Sequence, residues 1–309
     1  MKKVIKPERL KKGDTVAVIA PASPPSPNFL REGISYLEEE LGLKVKVGQH
    51  VYDHYGYLAG EDEFRLIDLE NAFLDKEVKG IFCACGGYGT ARLASKINYS
   101  IISQNPKIFW GYSDITFLHT AISNSTGLVT FHGPMLSSDI GKEDCHPLSK
   151  DLFQQLFEPK EMLYTEEYSP LEVLVEGKAS GRITGGNLSL ITSSIGTPFE
   201  INTKSNILLI EDINEEPRSV DRMLNQLLQA GKLTDAAGIV IGDFHQCHSK
   251  RDKSLALEEV MDHYIQKAGK PAMKGFKIGH CSPQVSIPLG VNAEINTNEK
   301  VLMIDSGVE

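Results

Sequence analysis

The sequence predicts an α/β protein of two domains: an N-terminal doubly wound, mostly parallel sheet over residues 1–140 and a smaller C-terminal α/β domain over residues 178–309. Three observations carry this. The 309 residues suffice for about two domains of roughly 150 residues, each with its own core. Short β-branched apolar runs alternate with stretches of helical period, the pattern of crossover-connected parallel strands. From Gly141 to Gly177 the periodicity fades around Pro147, Pro159 and Pro170, which makes 141–177 the expected interdomain connection.

Asp14-Thr-Val-Ala-Val-Ile-Ala20 reads as a buried strand emptying into the rigid loop Pro21-Ala-Ser-Pro-Pro-Ser-Pro27. Leu30, Ile34, Leu37 and Leu41 recur at helical spacing, and Lys44-Val-Lys-Val47 alternates like an edge strand, so the chain opens as a β-α-β unit. Phe64, Ile67, Leu69 and Phe73 predict a helix over 61–74. A strand from Gly80 to Cys85 follows and ends in Gly86-Gly-Tyr-Gly89, with a helix expected at 90–96. Ile108-Phe-Trp110 is a further strand, which Gly111-Tyr-Ser-Asp114 turns into a helix over 115–124. In the second domain the clearest strands are Asn206–Ile210 and Gly238–Ile241, separated by a helix over 220–230 with Met223, Leu224, Leu227 and Leu228 on one side. A helix over 255–268 and two alternating segments, 293–296 and 301–304, complete it.

Composition excludes several classes of function. Thirty-two Lys and Arg against 41 Asp and Glu leave a net charge of −9 with no dense basic block, which argues against a nucleic-acid partner. Charges at Lys6, Glu8, Arg9, Lys11, Lys12 and Asp14 interrupt any signal-peptide core, and no run approaches the ~18–20 apolar residues of a membrane span. Five cysteines, an odd count without CxxC spacing, indicate neither a disulfide framework nor a zinc ribbon and suit a reducing cytoplasm.

Four motifs could carry chemistry. Ser113, at a strand-to-helix turn, is a candidate nucleophile, although spacing alone favours an ordinary N-cap together with Asp114. Gly86–Gly89 could hold a phosphate or an oxyanion on its backbone N–H groups, or could simply be a turn requiring positive φ; it lacks the third glycine of the dinucleotide fingerprint. Beyond the strand at 206–210, Glu211 could orient a histidine, whereas Glu215 and Glu216 read as solvated residues before a helix. His280, in the Gly/Pro-punctuated loop Ile278-Gly-His-Cys-Ser-Pro283, is a candidate general base or an ordinary polar loop residue. His245-x-Cys247-His248 and His50-x-x-Asp53-His54 have metal-like spacing but no full ligand set, and no metal or cofactor is expected.

Taken in order, these residues resemble the serine LD-carboxypeptidase family, which also contains the microcin C immunity-type peptidases. The matching pieces include Asp14–Ser23, Leu58–Arg65, Gly86–Leu93, Gly111–Asp114, His132-Gly-Pro134, Gly185-Gly-Asn187, Leu209–Asp212, Ser219–Arg222 and Gly279-His280. The resemblance implies a nucleophile elbow on the first domain, Glu and His on the second, and an active site in the groove between them. It maps a catalytic triad onto Ser113, Glu211 and His280, with the backbone N–H groups of Gly87 and Asp114 as oxyanion hole. The implied activity is hydrolysis of the bond between an L-diamino acid and D-alanine in small cytoplasmic muropeptides, in cell-wall recycling, by a homodimer without cofactor. An immunity-type amidohydrolase of peptidyl-nucleotide or aminoacyl-adenylate analogues is the enzymatic alternative. A non-catalytic nucleotide- or sugar-binding α/β protein is the other. One position departs from the family: Cys85 stands where an arginine often precedes the glycine loop, and is assigned to packing.

Overall fold

The computed structural model describes residues 2–309, which divide into two compact units. The first comprises residues up to 160, together with 282–290 and 306–309. Its sheet is built from β1 (Thr15–Ile19), β2 (Lys44–Val47), β3 (Val78–Cys83), β4 (Ile108–Gly111) and β5 (Thr130–His132). The spatial order is β5-β4-β3-β1-β2, all parallel, and the late strand Ile287–Leu289 adds antiparallel to the outer edge of β5. β2 lies at the opposite edge, which suits its alternation of lysine and valine. Ala17, Ile19, Val78, Ile81 and Phe109 pack on one face against Leu69, Phe73, Leu118 and Ile122 of the covering helices.

Local chemistry explains where these helices begin and end. Pro27 occupies the first turn of α1 (Pro27–Ser35). Asp62 and Glu63 sit in the first turn of α2 (Asp62–Leu74), where they complement the helix dipole. α3 (Thr116–Thr126) stops at Gly127, which takes the left-handed conformation at φ 83°. The buried face of α2 differs from the apolar spacing read in the sequence. Phe64 and Ile67 are exposed, while Arg65 and Asp68 are buried beside Leu69, Ala72 and Phe73. Their polar groups have partners inside: Arg65 donates to backbone carbonyls, and Asp68 accepts from the N–H groups of Gln49 and His50.

The second unit spans 161–281 and 291–305. It holds β6 (Met162–Tyr164), β7 (Glu172–Val175), β8 (Lys178–Asn187), β9 (Ile207–Ile213), β10 (Gly238–His245) and β11 (Ala272–Lys274), with the later strands Asn292–Asn296 and Val301–Ile304. β8 to β11 are parallel neighbours, and antiparallel strands close both flanks, giving a mixed eight-stranded sheet. α4 (Pro217–Gln229) buries Val220, Met223, Leu224 and Leu227 against it, and α5 (Leu257–Ala268) adds Val260, Met261, Tyr264 and Ile265.

The expected connection at 141–177 is corrected by this division. Residues 147–151 and 152–156 form short helical turns of the first unit, and β6 and β7 are strands of the second. These elements are three to five residues long, too short to show a period, so the segment looked unstructured in sequence.

Candidate active site

In the first unit, β4 ends at Gly111, Tyr112 stays extended, and Ser113 turns to φ 62° before a 3₁₀ turn leads into α3. A non-glycine residue held in the left-handed region is strained, and this is the backbone geometry that a nucleophile elbow would require. The turn is packed closely. A Cβ on Gly111 would come 3.0 Å from Ile115 Cγ1 and 3.1 Å from the Cβ of Cys83. Beneath it, buried His119 places Nε2 2.8 Å from the Gly111 carbonyl oxygen. Burial holds that imidazole's pKa down at about 3, so it is neutral and donates Nε2–H to the elbow.

The glycine loop lies against the serine. A Cβ on Gly86 would sit 3.0 Å from Ser113 Cβ and 3.1 Å from its Oγ, so a larger residue here would crowd the hydroxyl. Gly87 has φ 105°, and a Cβ there would collide with the Ser23 side chain. Ser23 itself donates its N–H to the Gly86 carbonyl (3.1 Å), and its hydroxyl accepts from the Tyr88 N–H (3.3 Å). At the loop's far end, Asp114 accepts from the Thr90 N–H at 2.9 Å, while the Thr90 hydroxyl donates to the Asp114 carbonyl at 2.6 Å. With the Tyr88 and Thr90 N–H groups engaged, the peptide between Gly86 and Gly87 is the part of the loop adjoining Ser113.

Arg65 ties this loop to the one after β1. It is 1 % exposed, and its Nη1 donates to Pro21 O (2.5 Å) and Gly89 O (3.1 Å) while Nη2 reaches Asp62 Oδ1 (2.5 Å). Asp62 is in turn held by Arg92 and Lys96, which keep its pKa down at about 2. Sequence reading used Arg65 only as part of a motif and passed over His119. A charged residue among apolar helix positions, and a histidine eight residues beyond a strand's final glycine, were the signals available.

Cys85 and Trp110, both near the Ser113 turn, are buried and engaged elsewhere. Cys85 is buried and donates its thiol to Ser23 O at 3.0 Å. Burial, helped by Asp139 and Asp114, pushes its pKa up to about 12, which keeps the sulfur protonated and poorly nucleophilic. Burial also raises Asp114, to about 6, against the hydrogen bonds from Thr90. Trp110 is fully buried, donating to Pro134 O at 2.7 Å and packing on Phe131 and Phe153.

In the second unit, β9 carries two consecutive carboxylates to opposite faces of the sheet, as strand geometry requires. Glu211, 0 % exposed, meets His280 with Oε2 2.7 Å from Nδ1. Asp212 accepts from Asn187 Nδ2, from both the N–H and the hydroxyl of Ser189, and from the Ile213 N–H. Burial and the neighbouring Glu211 charge lift it to about 6. Glu211 is wedged between two glycines. A Cβ on Gly242 would lie 3.1 Å from Glu211 Cβ, and one on Gly279, which has φ 120°, would lie 2.6 Å from Glu211 Oε2. The Asp243 N–H donates to Ile278 O at 2.8 Å, pinning the loop that presents His280.

The structure thus pairs Glu211 with His280 in one unit and places Ser113, Asp114 and the Gly86–Gly89 loop together in the other. Glu216 lies near Arg218 and Arg251, outside the Glu211–His280 pair. Among the described residues no three His, Cys, Asp or Glu side chains cluster as for a metal ion. His50 pairs with Asp53 and stacks on Phe64, while Cys247 is buried with its pKa pushed up to about 12.

Both units have counterparts among known proteins. Residues 16–133 match the LD-carboxypeptidase N-terminal domain and residues 180–295 the LD-carboxypeptidase C-terminal domain. The chain is 60 % identical to a probable murein peptide carboxypeptidase of Bacillus subtilis, over 98 % of this chain and 95 % of that protein. The crystal structure of an MccF-like protein from Bacillus anthracis is similar with a TM-score of 0.87 at 30 % identity, covering 98 % of this chain and 100 % of that one. That of a muramoyltetrapeptide carboxypeptidase from Oxalobacter formigenes has a TM-score of 0.83 at 26 % identity, covering 94 % and 98 %.

Proposed function

The chain belongs to the LD-carboxypeptidase family, and from that premise we propose that it is a serine carboxypeptidase releasing terminal D-alanine from muropeptides. The observation that carries the assignment is the strained Ser113 beside the glycine loop, taken with the Glu211–His280 pair.

His280 takes the proton from the Ser113 hydroxyl as Oγ attacks the carbonyl of the L-diamino acid, forming a tetrahedral intermediate. The imidazolium then donates that proton to the nitrogen of the departing D-alanine, leaving an acyl-enzyme. Water, deprotonated by the same imidazole, attacks the ester and restores Ser113. Glu211 holds the proton on Nδ1, so that Nε2 faces the reaction, and stabilises the charge His280 acquires. The N–H groups of Gly87 and Asp114 receive the oxyanion, each typically worth ~2.7–4 kcal/mol in the transition state. Ser23 and the Asp114–Thr90 bonds support that role, because they keep the loop from following the substrate.

We place the activity in the cytoplasm and in wall recycling. All five thiols are free, as a reducing compartment would keep them, and no helix among the described residues is long and apolar enough to cross a membrane. A homodimer is the expected assembly, to be read by sedimentation.

The decisive assay is mass spectrometry of L-Ala-D-Glu-L-Lys-D-Ala and its meso-diaminopimelate counterpart after incubation with wild type, Ser113→Ala, and wild type in EDTA. Loss of one alanine by wild type, with or without EDTA, is expected. Cleavage by Ser113→Ala refutes the nucleophile. If neither peptide is cut, the second reading implied by the family resemblance applies, and aminoacyl-adenylate analogues are the substrates to try. That reading calls for an exposed aromatic to stack a base, a role closed to the buried Trp110.

A further inference from the structure

The second unit contains a cavity of about 350 Å³ that neither Glu211 nor His280 lines. It lies beyond the carboxyl ends of β10 and β11, the edge at which parallel strands present ligands, and its volume falls within the range of small-molecule sites. Buried Leu171, Ile241, Met261 and Phe276 supply an apolar wall. Asp243 and Lys277 are the half-buried charges of the lining. Lys274 is paired with Glu172 at 3.1 Å, and Glu258 is exposed in the first turn of α5.

The backbone around the cavity is pinned on each side. Gly275, at φ 101°, lies so close to Pro170 that a Cβ there would be 2.3 Å from its carbonyl oxygen. The Gly275 carbonyl accepts from the Ser169 hydroxyl, and the Lys277 N–H donates to the Tyr164 hydroxyl, both at 2.7 Å. The Asp243 N–H donates to Ile278 O at 2.8 Å, and α5 begins with the Ala256 N–H held by the Glu259 carboxylate at 2.7 Å. Little has to be ordered when a ligand enters, which favours affinity.

The two half-buried charges say what the cavity takes. The Asp243 side chain is 26 % exposed, and its buried Oδ2 accepts no hydrogen bond from a described residue, with His245 Nδ1 3.6 Å away. Burial raises its pKa against the opposing pull of His245 and Lys277. A carboxylate so placed is costly until a donor reaches it. A ligand with a single charge would be attracted by one of Asp243 and Lys277 and repelled by the other. A zwitterion suits both, its ammonium donating to Asp243 and its carboxylate accepting from Lys277. The apolar wall then calls for an apolar side chain, whose burial drives binding.

We infer that this cavity is a binding site for a free amino acid with an apolar side chain, held at its ammonium by Asp243 and at its carboxylate by Lys277. Neither Ser113 nor the Glu211–His280 pair takes part, so the site stands whatever peptide the enzyme cuts.

Isothermal titration calorimetry of the whole protein with L-leucine and D-leucine tests this, beside leucinamide, which lacks the carboxylate, and isocaproate, which lacks the ammonium. At least one leucine enantiomer should bind with a Kd of about 1 mM or tighter, and each analogue about tenfold more weakly or worse. Asp243→Asn and Lys277→Met should each weaken leucine about 10- to 100-fold, the weight of one charge-assisted hydrogen bond. Met261→Trp, which fills the cavity, should abolish the heat of binding. Thermal denaturation checks that each variant is folded, and the two charge variants decide if Met261→Trp is not. Absence of binding by both enantiomers at about 10 mM overturns the site. So does an affinity unchanged in Asp243→Asn or Lys277→Met, because leucine is then bound elsewhere. Leucinamide or isocaproate binding as tightly as leucine overturns it too, because a zwitterion is then not what the cavity recognises.

Discussion

Replacing Gly279 by alanine tests whether the backbone next to His280 exists to shape the Glu211 carboxylate. At φ 120° an L-residue carries strain of about 1–3 kcal/mol. The added Cβ would also stand 2.6 Å from Glu211 Oε2 and 2.9 Å from Glu211 Cβ. Gly242, on the other side, leaves Glu211 little room to retreat. Restoring an ordinary contact requires Oε2 to move by more than about half an ångström, which breaks the 2.7 Å geometry of its bond to His280 Nδ1. A charge-assisted hydrogen bond is worth about 1.5–3 kcal/mol. Because His280 becomes charged only as the reaction proceeds, the loss falls on the transition state. At 1.36 kcal/mol per decade, kcat should drop about 10- to 100-fold with KM little changed. The assay is release of D-alanine from tetrapeptide, run beside thermal denaturation, which should show a folded protein with a lowered Tm. A folded Gly279→Ala enzyme with kcat within twofold of wild type would refute the argument.

Arg65→Lys should destabilise the first unit by about 2–4 kcal/mol, since one ammonium cannot hold the Pro21 and Gly89 carbonyls and Asp62 together; denaturant unfolding of the variant measures this. Cys85→Ala should keep kcat/KM within about twofold, and iodoacetamide at pH 7 should leave wild type active, because the thiol stays protonated. Asp212 gives a pH signature. Its folded pKa is raised, to about 6, so its favourable contribution is complete below the unfolded value near 4 and is lost as pH rises through 6. Asp212→Asn removes this titration, so unfolding of wild type and variant at pH 4.5 and pH 7 should show the variant gaining on wild type by about 2 kcal/mol at the higher pH. A constant difference would contradict the raised pKa.

Much of the architecture is written locally. The β-branched run before Pro21 is β1, Lys44–Val47 is an edge strand, and the apolar spacing at 223–228 marks the buried face of α4, because each pattern reflects burial on one side of a repeating element. Gly111-Tyr-Ser-Asp114 and Gly86–Gly89 could be located for the same reason, each lying where a strand's period stops. His280 and Glu211 were singled out from loop and strand-end positions, and the sheet pairs them at 2.7 Å.

Other features depended on groups distant in sequence. Ile287–Leu289 joins the first sheet although most of the second unit precedes it, and a three-residue strand has no period to announce such a pairing. Glu211 and Asp212 are adjacent and alike in chemistry; only the direction of β9 sends one to His280 and the other to Asn187 and Ser189. Arg65 is buried because the carbonyls of Pro21 and Gly89, 44 and 24 residues away in sequence, are brought to it by the fold. Ser113 reads as a helix cap by composition and as a strained elbow only at φ 62°. Residue types and spacing name the groups able to do chemistry, because those properties are local. Which of them are buried, paired or strained depends on partners that only the folded chain brings within hydrogen-bonding distance.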